Sequence, residues 1–290
     1  MSGAVWAALS GALFGVFQAV SGVIVRRAVS VSLATFVQLA GATVAVGAIA
    51  AVTEGLDRLG DAPARSLLMF ALAGMIHFLV GWTTLNRSQR RIGAARTAPL
   101  LATTPLFGLL VALVVFGELP GEVALVGIAV TMLGAYVITD PGAGSRVALG
   151  ESGWGLVTAF VWALSALFTV EGLEDFSYPL LGVTVGMAAA TVPYGVLLLA
   201  DRAPVTWADV RADLGLKLLA GTLVAVATWW RWLGLETTSI GIVLALQLLS
   251  VPAVLVAAPL IARRGDEVVT TRLTLGTGVV LLGALALILG

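Results

Sequence analysis

LNRSQRRIG, Leu85 to Gly93, and LGLETTSIG, Leu233 to Gly241, are the two strings that decide the fold. Each starts from a Leu at the end of an apolar stretch and reaches Ile-Gly eight positions later, and the second follows the first at a shift of 148 residues. Their charges differ. The first carries Arg87, Arg90 and Arg91, whereas the second carries Glu236 and no cation. Two copies of one unit that exchange basic for acidic character at the same place fit an inverted repeat in a membrane, because Lys and Arg collect on the cytoplasmic side.

Composition supports a membrane setting independently. The 290 residues are 59% hydrophobic and 11% charged, with 34 Gly, against about 25% charged residues in a soluble domain. Ten helices of ~20 residues would leave only short connections and no sizeable extramembrane domain. The absence of Cys excludes disulfides, thiolate metal sites and Cys catalysis. One His cannot build a zinc site. Sixteen cations balance sixteen acids, so no global basic field favours nucleic acid.

Uncharged runs place the spans, since Asp, Lys or Arg at a helix centre costs ~2.5–3.5 kcal/mol on insertion scales. The runs are Ser2–Val25, Ala28–Thr53, Ser66–Asn86, Thr97–Gly117 and Val123–Thr139, then Ser152–Val170, Phe176–Ala200, Leu218–Leu235, Thr237–Ala262 and Leu273–Gly290. Between the fifth and sixth lies the connection DPGAGSRVALGE, Asp140–Glu151. The expected fold is therefore all-α: a polytopic membrane protein of ten transmembrane helices arranged as two inverted five-helix repeats. Residues 1–139 form the first repeat, 140–152 the connecting loop and 153–290 the second repeat. The first span has no positive n-region and is followed at once by Arg26-Arg27, so it reads as a retained helix and not a signal peptide.

Further matches recur at nearly the same shift. Pro105 corresponds to Pro252, Gly127 to Gly276 and Gly134 to Gly283; Gly3 and Gly155 each open a half. The cations test the pattern separately. In the first half they sit in connections 1–2 and 3–4 (Arg26, Arg27, Arg87, Arg90, Arg91), with only Arg58 and Arg65 in the others. In the second half the bias flips to connections 7–8 and 9–10, with Arg202, Arg211, Lys217, Arg263, Arg264 and Arg272. With Arg146, one face gathers twelve cations and the other two. The opposite face holds Glu54, Asp57, Asp61, Glu118, Glu122, Glu171, Glu174, Asp175 and Glu236. This bias puts the basic face in the cytoplasm and both termini outside.

The stretch APLLATTPLFGLLVALVVFGE, Ala98 to Glu118, followed by Gly127 and Gly134, resembles the repeat of the drug/metabolite transporter superfamily, in its ten-helix EamA-type branch. The second copy is LALQLLSVPAVLVAAPL, Leu244 to Leu260, with Gly265-Asp266-Glu267 standing where Gly-Glu would fall. The resemblance implies a central cavity lined by spans 1, 3, 4, 6, 8 and 9, with spans 5 and 10 at the periphery and Trp162 and Ser165 as cavity walls. It also implies cytoplasmic termini, opposite to the charge bias. The first span contains no acid, unlike the small drug exporters related to this family, so proton-coupled cationic drug export is not supported.

Polar groups in mid-span come next, because hydrocarbon cannot satisfy them. His77 lies midway along span three and reads either as a titrating cavity group or as a neutral His bonded to a neighbouring helix. Gln38 reads as interhelical glue, whereas Gln18 and Gln247 lie on spans assigned to the cavity. Arg231 is the only charge within a span core, in Thr228-Trp229-Trp230-Arg231-Trp232. It reads as an anion-binding cation with Trp229 as a stacking face, or as a snorkelling residue that reaches the interface. Arg96 reads as snorkelling. Thr103-Thr104 precede Pro105 and Ser250 precedes Pro252, where hydroxyls can repair the carbonyl freed by each Pro and the bend can act as a hinge. Gly11-xxx-Gly15 and Gly182-xxx-Gly186 read as close helix contacts.

The candidate substrate-binding residues are thus Gln18, His77, Thr103, Trp162, Trp229, Arg231 and Gln247, with hinges at Pro105 and Pro252. No phosphate-cradling loop, HExxH or GxSG string occurs, and no span core holds Asp or Glu. The expected function is a secondary membrane transporter, exporter or exchanger, of small organic metabolites by alternating access. Amino acids, other carboxylates and aromatic compounds are the candidate cargoes. The alternative is a non-transporting helical scaffold or sensor. An enzyme, a cofactor, a metal and a nucleic-acid partner are not expected. The expected partners are a small-molecule substrate and the lipid bilayer, monomer and homodimer both remain open, and the expected location is the cell membrane as a multi-pass protein. The charge bias predicts that a C-terminal reporter active only in the cytoplasm stays silent; an active reporter would reverse the orientation.

Overall fold

The computed structural model describes residues 2–116, 121–139, 149–200, 206–238, 240–262 and 269–289. Gly117-Glu118, residues 140–148 with Arg146, Arg202 and residues 263–268 (among them Arg263, Arg264 and Gly265–Glu267) lie outside that set. Among the described residues every regular element is helical. Uncharged runs form α1 (Gly3–Arg27) and α2 (Val31–Thr53). Arg26 and Arg27 end α1, and the Ser30 hydroxyl accepts the Leu33 N–H at 3.2 Å to cap α2. After a 3-10 turn (Leu56–Gly60) come α3 (Ala64–Gly74), a π-helical segment (Met75–Gly81) and α4 (Trp82–Ile92), which run on as one span, Ala64–Ile92. Gly93 turns the chain out of α4 at φ 85°, a conformation only Gly adopts without strain.

Helices α5 (Ala94–Leu101), α6 (Thr104–Phe116) and α7 (Glu122–Thr139) complete the first half. The second half contains α8 (Leu149–Asp175), α9 (Pro179–Ala200), the short α10 (Trp207–Arg211), α11 (Leu214–Thr237), α12 (Ile240–Gln247), α13 (Ser250–Ile261) and α14 (Thr271–Leu289). Each span expected from the uncharged runs falls on helix over most of its described residues. Among the described residues six helices are long and apolar enough to cross a membrane: α1, α2, Ala64–Ile92, Gly153–Asp175 within α8, α9 and α11. Expected spans four and nine are not continuous bent helices. Each is broken, by turns at 102–103 and 248–249. Proline is the cause: Pro105 and Pro252 have no N–H to donate to the carbonyl four residues earlier, and the chain leaves the α-helical ladder there.

Packing follows a pattern of exchange between the halves. Helix α1 lies on α11, α12 and α13, as α8 lies on α3, α4, α5 and α6. Helix α2 packs on α9 and α11, and α9 packs on α3, while α7 and α14 pack on each other. Glycines allow the closest crossings. A Cβ on Gly11 would meet the Leu246 carbonyl and one on Gly15 the Ser250 carbonyl, so α1 rests directly on the broken pair α12–α13. A Cβ on Gly74 would overlap the backbone of Gly186, and one on Gly134 would press on Val280. Gly283 stands equally close to Thr131 and the Gly127 carbonyl.

The ends of the bundle sort by charge. At one end Arg27, Ala28 and Ser30 share a small pocket with Asp209 and Lys217, and Arg90 donates to the Ala28 carbonyl at 2.9 Å. Lys217 also closes α10, donating to the Asp209 carbonyl at 2.9 Å. At the other end Arg65 pairs with Asp175 at 2.9 Å and with Glu171, Arg58 donates to the Tyr178 hydroxyl, and Ser177 donates to Glu236. Glu54 accepts the Leu181 N–H at 3.0 Å there. Burial pushes the Glu54 carboxyl above its usual range, and that N–H pulls partly back. Connections 1–2, 3–4 and 7–8 therefore share one end, and 2–3, 6–7 and 8–9 the other.

The α3–α9 crossing makes a sharp prediction. Gly74→Ala should lower stability by ~1–3 kcal/mol through overpacking, read as a drop in the melting temperature of detergent-purified protein. Gly60→Ala, with open space around it, should leave the melt unchanged.

Candidate functional site

A cavity lies among α1, the π segment, α8, α11 and the two broken helices. Helix α1 contributes Ser10, Phe14 and Gln18, spaced i, i+4, i+8 on one face. Helix α11 contributes Ala227, Thr228 and Arg231, again one face. The first break contributes Leu101, Ala102, Thr104 and Pro105, and the second Gln247, Leu248, Ser250 and Val251. His77 and Trp162 close the wall between them. These are the helices of expected spans 1, 3, 4, 6, 8 and 9.

The breaks are chemically quiet where they face the cavity. Thr104 Oγ1 donates to the Leu101 carbonyl at 2.6 Å, which is the carbonyl Pro105 leaves free. Thr103 Oγ1 does the same for Leu100, also at 2.6 Å. At the second break Gln247 Nε2 reaches across to α1, donating to the Ala7 carbonyl at 3.2 Å and to Ser10 Oγ at 3.0 Å. Ser10 in turn donates to the Ala227 carbonyl at 2.6 Å. One relay thus joins α12, α1 and α11.

The aromatic wall is built by the π segment. His77 stacks on Trp162 with ring centroids 5.0 Å apart and planes within 12°. Its Nδ1 lies 3.0 Å from Ser165 Oγ, and the Trp162 indole N–H donates to the His77 carbonyl at 3.2 Å. Gly81 makes room, since a Cβ there would run into that indole. Phe14 meets Trp162 edge-on at 5.2 Å. π segments interrupt the α-helical ladder and recur at functional sites.

Two polar groups on this wall are left without partners. Gln18 is fully buried, and neither its amide nitrogen nor its amide oxygen is hydrogen-bonded. Arg231 is 8% exposed, so it does not snorkel to the interface. Among the described residues no carboxylate pairs with it, and the cavity lining contains no Asp or Glu.

The sequence-derived candidates divide accordingly. Gln18, His77, Trp162, Arg231 and Gln247 come together around one cavity, and Pro105 lines it. Thr103 is buried away from the cavity, and Thr104 takes its place, because the break at 102–103 decides which hydroxyl faces inward. Trp229 is also outside the lining. It lies two residues before Arg231, about 200° around a helix, and it packs against the core instead, with Trp230 on Trp6 and Trp232 on Phe70. Pro252 sits on the exposed side of α13. Gln38 bonds the Ala34 carbonyl of its own helix rather than a neighbour. Ser10, Phe14 and Thr228 were not singled out from sequence. Their signal was present as one-turn and two-turn spacing from Gln18 and a one-turn spacing from Arg231.

Residues 1–140 match the model of the EamA-like transporter family. That match covers 140 of the 290 residues. A probable terminal-alkyne amino-acid exporter of Streptantibioticus cattleyicolor is 30% identical over 128 residues, which is 44% of this chain and 40% of that relative. The match therefore spans less than half the length of the relative. A solved crystal structure shares the fold across 97% of this chain and 95% of its own, with a TM-score of 0.63 at 18% identity. The EamA-like sequence and the apolar helices together make this a multi-pass membrane protein.

Because the chain has no native Cys, the lining can be probed by single replacements. Thr104→Cys and Gln247→Cys should react with a small charged thiol reagent added to membranes, and Thr103→Cys should not. Equal reactivity at 103 and 104 would contradict the placement of the break.

Proposed function

We propose that this protein is a secondary transporter that exports or exchanges small organic metabolites bearing a carboxylate. Two inverted five-helix repeats, residues 1–139 and 153–290, rock around the central cavity. The observation that carries the reading is the meeting of two broken helices at a buried cavity that holds an unpaired Arg231 and an unpaired Gln18. Discontinuous helices at a midplane site are the recurring device of secondary transporters. The exchange of packing partners between halves supports the repeat, and so does the sorting of connections 1–2 and 6–7 to opposite ends. Ten spans follow if the broken pairs and the α7–α14 pair also cross the bilayer.

In this reading each lining group has a task. Arg231 holds the carboxylate by a charge-assisted bond. Gln18 offers both a donor and an acceptor to the remaining polar group of the cargo. Phe14, Trp162 and His77 pack on its apolar part, and Pro105 and Pro252 mark the bends at which the broken helices move. The name of the matched relative favours an amino acid as cargo and export as direction.

The test is counterflow in proteoliposomes over a panel of amino acids, other carboxylates and matched amides. Carboxylates should move and the amides should not. Arg231→Gln should cut transport by about tenfold or more, the loss of a charged hydrogen bond, and Arg231→Lys should restore part of it. Wild-type rates in Arg231→Gln, or no movement across the whole panel, would sink the reading. His77→Gln should flatten any pH dependence of transport, with Arg231 the other ionisable group among the described lining residues. An unchanged profile would leave His77 a packing residue.

A further inference from the structure

A second pocket opens at the basic end, where the ends of α2, α4 and α8 come together, and it is lined by Val31, Arg87, Arg90, Arg91 and Trp154. The three arginines fall within the last turn and a half of α4, on one face by their i, i+3, i+4 spacing. All three are exposed, and among the described residues none is paired with a carboxylate. Arg90 spends one N–H on the Ala28 carbonyl. Arg87 lies over the Trp154 ring, 5.1 Å from its centroid. Three unneutralised guanidinium groups this close repel one another, and the cup they form asks for an anion.

Its setting says which anion. The cup sits at the ends of helices long enough to cross a bilayer, the level at which lipid phosphates lie and Trp side chains anchor. In the π segment that runs into α4, two turns back from Arg87, Val80 is exposed; along α8, one turn on from Trp154, Val157 is exposed. Basic groups above an exposed apolar stripe match a molecule with a phosphate head and acyl tails. A soluble phosphate would match the first and leave the second unused.

We propose that Arg87, Arg90, Arg91 and Trp154 bind the phosphate headgroup of an anionic membrane lipid, whose acyl chains run along the stripe marked by Val80 and Val157. The lipid spans α4 of the first half and α8 of the second. Those helices also carry the π segment's outgoing chain and Trp162, so its binding stabilises their contact. This site is separate from the central cavity and does not depend on what the cavity carries.

The experiment is thermal unfolding of the full chain, purified in neutral detergent, with dioleoylphosphatidylglycerol or dioleoylphosphatidylcholine added in mixed micelles. Phosphatidylglycerol should raise the melting temperature well beyond phosphatidylcholine. R87Q/R91Q should lose most of that difference, and Arg211→Gln, which removes an exposed cation elsewhere, should keep it. Each arginine removed should weaken phosphatidylglycerol binding by about fivefold, read by native mass spectrometry. That readout also serves with R91Q alone if the double variant does not purify. Equal effects of the two lipids, or an undiminished difference in the variants, would overturn the proposal. So would inorganic phosphate reproducing the full stabilisation, which would make the cup a soluble-anion site.

Discussion

Hydrocarbon offers no hydrogen bond, so a helix that crosses it can be interrupted only where the freed groups face protein or an internal cavity. The fold obeys that constraint at both breaks. Pro105 frees the Leu101 carbonyl, and Thr104 from the next turn takes it at 2.6 Å. At the second break the Leu248 carbonyl, which Pro252 leaves free, accepts the Val251 N–H at 3.0 Å. The same pressure turns the other mid-span polar groups inward. Ser21 donates to Asn86, which donates to Thr35, at 2.9 and 2.8 Å, and Thr84 meets Thr158 at 2.7 Å. Lipid-facing surfaces are left apolar, as the exposure of Val44, Leu199 and Leu260 shows. The cavity is what remains where inward-turned groups do not all meet.

Much of this was legible in the sequence, because membrane spans are written in charge and length alone. Uncharged runs marked the long helices, though not the short α10 or the 3-10 turn at Leu56–Gly60, and the alternation of Arg-rich and acid-rich connections matched the ends that the described connections share. What was not legible depends on phase. Whether Thr103 or Thr104 faces inward turns on the residue at which the helix breaks, and Pro fixes that only to within a turn. The π segment adds a residue to one turn and rotates His77 relative to any α-helical count. Trp229 was misplaced for a simpler reason: adjacency in sequence is not adjacency on a helix, and the face of Arg231 belongs to Thr228 and Ala227. The partnerless state of Gln18 had no sequence signature at all, since it is a statement about what its neighbours do not offer.

A buried charge without a partner is the costly element of this design. Removing a guanidinium from water is unfavourable by several kcal/mol unless a counter-ion or hydrogen bonds replace the solvent. Around Arg231 the lining supplies an amide, hydroxyls and ring faces but no acid. The proposed preference for carboxylates follows from that imbalance: an anion entering the cavity would complete the electrostatics, and a cation would meet only repulsion. The unpaired Gln18 sharpens the same preference, since an apolar ligand would leave both of its amide ends unmet.

The two ends of the bundle are held by different kinds of contact. Towards the basic end the halves and their helices are joined by buried hydrogen bonds, among them Thr84 with Thr158 and Gln89 with the Gln18 carbonyl at 3.1 Å. At the acidic end the contacts between halves include the ion pairs of Arg65 with Glu171 and Asp175, all about half exposed. Exposed pairs contribute ~0–1 kcal/mol, whereas breaking a buried hydrogen bond leaves a group unsatisfied at a cost of ~1–3 kcal/mol. The acidic end is therefore the cheaper one to part. Its contacts can exchange protein for water with little loss, and those of the basic end cannot. The side chains at the two junctions thus make the ends unlike in strength.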